Sequence, residues 1–388
     1  MRGRGHISQR GKDKSRWTVV IELEKVNGKR TQQSLTVRGT IGDAKKKLSE
    51  LLHQQDTGTF MRPTKTTLTE FLDRWLKDYA SNLSPRTSEG YEHIVIRYVI
   101  PKLGHHILAQ LKPEHLQQFY TAELNAGLSA QTVRHHHMVI HKSLGNAVEW
   151  GLLSRNPADA VRPPKAQRTE MRVWNEQELR TFLEAAQDSQ YYQLFSLNLF
   201  TGMRRSELLA LKWSDVDLIY AQISVSRSLH VLKGGNVIFR SPKTAAGRRT
   251  IALSPSVVLM LAEYREDREH ETRLLGQIIS EDDLVFSNLG KNLLPNTVTH
   301  AWQKLIKRTG SKAIRFHDAR HTHASLMLKA GIHPKVVQER LGHSSIAITL
   351  DTYSHVAPGL QMAAAQRFDD LVQVKHNEKA TENSVSKW

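Results

Sequence analysis

Residues 314–356 read IRFHDARHTHASLMLKAGIHPKVVQERLGHSSIAITLDTYSHV. Four polar side chains punctuate the stretch: His317, Arg320 three positions later, His343 after a Leu-Gly step, and Tyr353 ten residues further on. Residues 317–329 and 334–342 are predicted helices, and Tyr353 is predicted on a short helix that starts after Ser345. Taken as chemistry, this is a nucleophile with cationic and hydrogen-bonding groups able to gather around one phosphate. A tyrosine hydroxyl ionises at about 10, so it attacks poorly unless a base takes its proton or positive charge surrounds it. Arginine supplies a planar, permanently charged fork for two phosphate oxygens, and imidazole moves a proton near neutrality.

Upstream, the same domain begins near Met171. Helices are predicted at 174–187 and 191–200, then a break at Thr201-Gly202 and a short helix from Met203 through Arg204, Arg205 and Glu207 to Leu208. Strands are predicted at 223–227, 237–240 and 250–253, the last two joined by 241–247, SPKTAAG, as a hairpin tip. Further helices are predicted at 255–270 and 295–308. A last helical segment, 361–372, precedes a polar tail, 376–388, expected to be disordered. Residues 156–168, NPADAVRPPKAQR, are proline-rich, basic and aperiodic, and they mark the clearest boundary in the chain.

Ahead of that boundary the pattern is helical. Leu68, Phe71, Leu72, Trp75, Leu76 and Tyr79 recur at three and four, an amphipathic stripe. Ser84-Pro85 starts a second helix expected to stop at Pro101; a third begins near Pro113, and a fourth runs from Ser129 to Trp150. Within the fourth, His135, His136 and His137 point about 100° apart, so they cannot share one metal; the expectation is a solvated or DNA-facing run. Residues 1–62 hold 14 Lys+Arg against 6 Asp+Glu. They alternate as a strand from Trp17 to Glu24, offer Asn27-Gly28 as a hairpin turn, continue as a second strand at 31–38, and end in a helix after Gly39. This element reads as a second DNA-contacting module or as a soluble cap.

The 388 residues carry 55 Lys+Arg against 38 Asp+Glu, a formal +17, which suits a polyanionic partner such as nucleic acid. With no cysteine, thiolate catalysis, disulfides and Cys-type zinc sites are excluded. The basic N-terminus lacks an apolar stretch of the secretory type, and no segment reaches membrane-spanning length. The expectation is a cytoplasmic, DNA-handling protein without a membrane partner.

Five motifs in this order resemble the tyrosine recombinases of the phage integrase family: Thr201-Gly202-Met203-Arg204 followed by Glu207-Leu208, the hairpin Lys243, His317-Asp318-Ala319-Arg320, Leu341-Gly342-His343, and Leu350-Asp351-Thr352-Tyr353. The resemblance implies a multi-domain protein, mainly α with small β elements. An arm-type DNA-binding domain (1–62) with a small sheet and helix would precede a four-helix core-DNA-binding domain (63–155), a linker (156–170) and a mixed α+β catalytic domain (171–375). It also implies roles. Arg204 and Arg320 would clamp the scissile phosphate, and Lys243 would protonate the leaving 5′ oxygen. His317 would take the proton of Tyr353, His343 would donate a hydrogen bond to the phosphate, and Tyr353 would form a 3′-phosphotyrosyl link. No metal or other cofactor is expected, since fixed cations can meet the charge of in-line displacement.

The implied function is integration and excision of a mobile element such as a prophage in a bacterial host, by a homo-tetramer on two synapsed duplexes. A directionality factor and a host DNA-bending protein are the further partners it allows. The rivals are a type IB topoisomerase-like relaxase and a catalytically idle DNA-binding accessory protein of the same fold. One departure stands out: Ala319 occupies a position where the family usually has Leu, leaving less apolar volume under the helix. His317 and His321 have a zinc-like spacing, but His323 projects elsewhere. Arg205 is expected to face solvent or DNA, and Glu207 reads either as a surface helix residue or as a partner that orients an arginine.

Overall fold

The computed structural model describes residues 5–9, 15–26, 29–56, 65–166, 171–242, 247–353, 365–366, 368–370 and 372. The chain forms two compact units, Met1–Arg168 and Thr169–Trp388.

The first unit begins with an antiparallel sheet in the order β1 (Gly5–Gln9), β2 (Arg16–Val26), β3 (Lys29–Arg38). The strand alternation is the cause. Val19 and Ile21 pair with Leu35 and Gln33 across β2 and β3, and both are about 1% exposed. Helix α1 (Ile41–Asp56) packs on β2 and buries Ala44. Strand β1 was not evident in the sequence, because Ile7 is its one apolar residue besides glycine; it adds to β2 through backbone pairing. The expected Asn27-Gly28 turn lies outside the described residues.

The helical part of this unit runs through α2 (Leu68–Asp78), α3 (Pro85–Ile94), α4 (Ile100–Leu103), α5 (Pro113–Asn125) and α6 (Ala130–Glu149). A reciprocal cap opens α2: Thr67 N–H donates to Glu70 Oε2 at 2.7 Å, and Glu70 N–H donates to Thr67 Oγ1 at 3.2 Å. Trp75 stacks between Tyr79 and Tyr91 and donates from Nε1 to Asn146 at 3.0 Å, tying α2 to α6. Pro101 does not end the second helix as expected. A single π turn, 95–99, with Ile100 N–H bonded to Val95 O, carries the chain past the proline into α4. The wider turn accommodates a residue that offers no N–H. Nor is the whole of 156–170 a linker: Ala158 and Val161 belong to the helical core. His136 is also not solvated. It is 2% exposed, with Nδ1 3.2 Å from the buried Glu123 carboxylate.

The second unit is built on one large core in which Trp174 stacks on Trp302 at 5.3 Å beside Phe182, Phe195 and Phe316. Its helices are α7 (Glu176–Ala186), α8 (Tyr192–Thr201), α9 (Arg205–Leu208), α10 (Pro255–Leu274), α11 (Pro295–Thr309), α12 (Asp318–Lys329), α13 (Pro334–Leu341) and α14 (Ile346–Tyr353). Its strands are β4 (Val216–Asp217), β5 (Gln222–Val225), β6 (Ser228–Val231), β7 (Val237–Arg240), β8 (Arg249–Ala252), β9 (Ser287–Asn288) and β10 (Lys291–Asn292). The expected pairing of the strands at 237–240 and 250–253 is corrected: β7 pairs with the unforeseen β6, and β8 pairs with β5. Two residues separate β5 from β6 and eight separate β7 from β8, of which 243–246 lie outside the described residues. Of the expected last helix, residues 365–366, 368–370 and 372 are described and helical; residues 376–388 lie outside the described set.

Candidate active site

Two glycines with left-handed backbone define the site. Helix α8 is almost wholly buried and ends at Gly202, whose φ of 64° reverses the chain. Helix α13 ends the same way at Gly342, with φ 69°. Helix ends leave carbonyls without intrahelical partners and a negative dipole, which favours a cation. Arg320 from α12 occupies that position for both helices. Its Nη1 donates to Gly202 O at 2.8 Å and its Nη2 to Leu341 O at 2.6 Å, and the residue is 2% exposed.

Arg204, two residues beyond Gly202, is the N-cap of α9. Its Nη2 reaches Gly342 O at 3.3 Å and its Nη1 donates to Glu207 Oε1 at 2.7 Å. Glu207 also takes Arg249 Nη2 at 2.9 Å, and Arg249 Nε donates to Arg340 O at 2.7 Å. One buried carboxylate thus holds two guanidinium groups, and it is Glu207 as an orienting partner, not a surface residue. Burial opposes its charge, but the Arg249 and Arg204 guanidinium groups outweigh that and hold its carboxyl below the usual range.

His317 precedes α12 as its N-cap, with its ring edge-on to His321 at 5.3 Å. Asp318 is taken by Arg315, whose Nη2 lies 2.8 Å from Oδ1. His343 follows Gly342; its Nδ1 lies 2.9 Å from Thr349 Oγ1 in α14. Burial, then the charge of Arg320, pushes the His317 imidazole below its ordinary value. His343 is pushed down to about 4 by burial, Arg320 and Arg204, and His321 to about 4 by burial and the neighbouring His317. These couplings join Arg204, His317, Arg320, His321 and His343 in one neighbourhood, assembled from three separate segments. Neutral imidazoles among permanent cations can accept or donate a proton beside a bound anion.

Tyr353 is the last residue of α14, and its side chain lies outside the described set. Lys243 lies outside the described residues, between β7 and β8 in the sequence. His323 turns into the core, where Nδ1–H donates to Leu199 O at 2.9 Å and Nε2 accepts from Arg340 at 3.2 Å, so both ring nitrogens are in use. Arg205, expected to face solvent or DNA, is half-buried: Nη1 donates to Pro295 O at 3.2 Å and to Thr299 Oγ1, fastening α9 to α11. Sequence reasoning missed Arg249, His321 and Thr349 as parts of the site. The signals were a ribbon arginine among other arginines, a histidine weighed for zinc alone, and a buried threonine one turn before Tyr353.

A sequence profile of the Phage integrase family matches residues 172–359, and one of the Phage integrase, N-terminal SAM-like domain matches 67–124. The chain is 28% identical over 381 residues to a Tyrosine recombinase XerC-like protein of Caldanaerobacter subterraneus subsp. tengcongensis, covering 93% of this chain and 97% of that one. It is 27% identical over 290 residues to the ICEBs1 integrase of Bacillus subtilis, covering 74% and 78%. Among solved structures, the Tn1549 transposon integrase in complex with a circular intermediate DNA matches at TM-score 0.67, with 21% identity over 78% of this chain and 99% of that one. A lambda integrase dimer bound to a COC′ core site matches at 0.57, with 22% identity over 74% and 95%. The two profiles together span more than half of the chain, which belongs to the phage integrase family: it is a tyrosine site-specific DNA recombinase.

Proposed function

We infer that Arg204 and Arg320 bind the non-bridging oxygens of a scissile DNA phosphate, with His343 as a further donor. His317 accepts the proton of Tyr353 as the phenolic oxygen attacks phosphorus. The P–O5′ bond breaks, Lys243 protonates the departing oxygen, and the 3′ phosphate stays on Tyr353. A DNA hydroxyl from the second duplex reverses the step without ATP, because the phosphotyrosyl ester conserves the bond. The observation that carries this reading is that Arg204 and Arg320 together bind the carbonyl ends of α8 and α13, with the charges of both arginines acting on His317 and His343. Each group is fixed before substrate arrives, so the developing equatorial charge meets cations that need no reorganisation.

The same reading gives 1–62 to distant arm sites, 63–155 to the core site and 171–375 to chemistry. It places four protomers on two duplexes in the host cytoplasm, aided by a directionality factor and a DNA-bending protein. Arm binding has support in the sheet. Alternation leaves His6, Ser8, Thr18, Ser34 and Thr36 on the side away from Val19 and Ile21, with Arg16 directly opposite Arg38. Two arginines beside these hydroxyls and His6 suit contact with a phosphate backbone.

The test is covalent trapping on a nicked suicide duplex built from an attachment sequence of the element. A denaturation-resistant protein–DNA adduct from the wild type and none from Tyr353→Phe is the expected result. Specific binding of that duplex without an adduct would overturn the assignment in favour of an accessory DNA-binding protein.

A further inference from the structure

Thr349 has no place in the roles above, yet it is fully buried and its hydroxyl meets the ring of His343. The backbone of His343 is held from the other side. Its N–H donates to Gln338 O at 3.1 Å, and its carbonyl accepts from Gln338 Nε2 at 2.8 Å. The histidine backbone is therefore anchored to α13, whereas its ring is fixed by α14. Within α14, Thr349 stands four positions, one helical turn, before Tyr353.

A neutral imidazole carries a single N–H, and the contact at one nitrogen decides which of the two bears it. A hydroxyl that donates to Nδ1 forces the proton onto Nε2, which can then donate to a phosphate oxygen. The opposite arrangement, Nδ1–H donating to Oγ1, leaves Nε2 a bare acceptor that repels the same oxygen. Only the first arrangement agrees with a ring that serves an anion beside Arg204 and Arg320.

We propose that Thr349 is a positioning residue: its hydroxyl donates to Nδ1 of His343, fixes the Nε2–H tautomer, and ties the helix carrying Tyr353 to the phosphate-binding side chains. This rests on the reading of His343 as a phosphate ligand, and the experiment separates the two. Nitrogen-15 NMR of the full-length, histidine-labelled protein reads the tautomer directly, with the His343 signals identified by their loss in His343→Ala. The Nε2–H pattern is expected in the wild type, a mixture in Thr349→Val, and recovery in Thr349→Ser. An Nδ1–H pattern in the wild type would overturn the proposal.

Single-turnover adduct formation on the nicked duplex gives the second arm. Thr349→Val is expected to slow it about 10- to 100-fold, with Thr349→Ser close to wild type. In a His343→Ala background the valine should cause no further slowing. Equal slowing in both backgrounds would mean that the threonine acts through the fold alone, and the proposal would fail. If His343→Ala reacts as fast as wild type while the Nε2–H pattern holds, the bond stands and the phosphate-ligand reading fails.

Discussion

Arg320 Nη1 donates to the carbonyl of Gly202 at 2.8 Å, so the arginine of the 317–320 box is held by the same glycine whose left-handed turn launches Arg204. The two arginines proposed to bind the scissile phosphate therefore share one backbone support. A Cβ on Gly202 would stand 2.7 Å from Leu341 Cδ2 and 2.9 Å from His323 Cδ2, at φ +64°. Gly202→Ala should lose about 1–3 kcal/mol of stability to strain and overpacking. Adduct formation should fall further than that loss accounts for, because both arginines shift. Urea unfolding beside single-turnover cleavage checks this; a stability loss with unchanged cleavage would sever the link.

Glu207 makes the second shared support, with Arg249 at 2.9 Å and both side chains at most 6% exposed. Removing one member of such a pair leaves a buried charge without its partner, at about 3–5 kcal/mol. Glu207→Ala is expected to lose stability in that range, whereas Glu207→Gln keeps the shape and part of the bonding. The carboxyl is held below its unfolded value. Its contribution is thus present above the ordinary carboxylate range and lost as pH falls through the folded value. Acid unfolding followed at neighbouring pH values should show a shallower slope below about pH 4 in Glu207→Gln than in wild type.

The general architecture was legible because local chemistry and tertiary role agree. Leu68, Phe71, Leu72 and Trp75 recur with helical period and are all buried, and the Ser84-Pro85 start is a cap with proline in the first turn. The sequence was silent where an outcome depends on a distant partner. Which strand the 237–240 segment pairs with is decided across the ribbon. Arg249 becomes part of the site only once Glu207 is brought to it, and His136 is buried by Glu123 and Tyr98 from other helices. Pro101 misled for a local reason, since a π turn is not coded by any single residue.

The histidines make the site sensitive to acid in a definite direction. His343 and His321 are held near about 4 and His317 below its ordinary value. At neutral pH all three imidazoles are uncharged. The unfolded chain takes up protons at about pH 6.5 that the native site refuses. Stability should fall as pH drops from about 6.5 through the folded values, and remain flat above. NMR titration of the DNA-free protein should place the His343 midpoint at about 4, well below the ordinary imidazole value. Arg320→Gln should raise it by removing the neighbouring positive charge. An unchanged His343 midpoint in that variant would show that burial alone sets it.

The N-terminal sheet gives a prediction that separates binding from chemistry. Deleting residues 1–62 should spare adduct formation on a core-site duplex and reduce integration between full attachment sites. Arg16→Ala with Arg38→Ala should do the same more mildly, and it should flatten the salt dependence of arm-site binding by about two charges. Equal integration by the truncated protein would remove the arm-site assignment.

Ala319 departs from the usual leucine. It is fully buried in the cluster that holds Phe195, Trp302 and Phe316. Those aromatic rings pack at centroid distances of 5.2–6.1 Å around one another in the same buried cluster as Ala319. A leucine there adds three carbons to a packed interior, and Ala319→Leu should cost about 1–3 kcal/mol. Because Arg320 is the next residue, the displacement should also slow adduct formation while leaving DNA affinity nearly intact. Urea unfolding and single-turnover cleavage of the same preparation read the two effects. A stabilised Ala319→Leu variant would mean that a cavity remains beneath α12 and that the aromatic cluster does not compensate for the missing side chain.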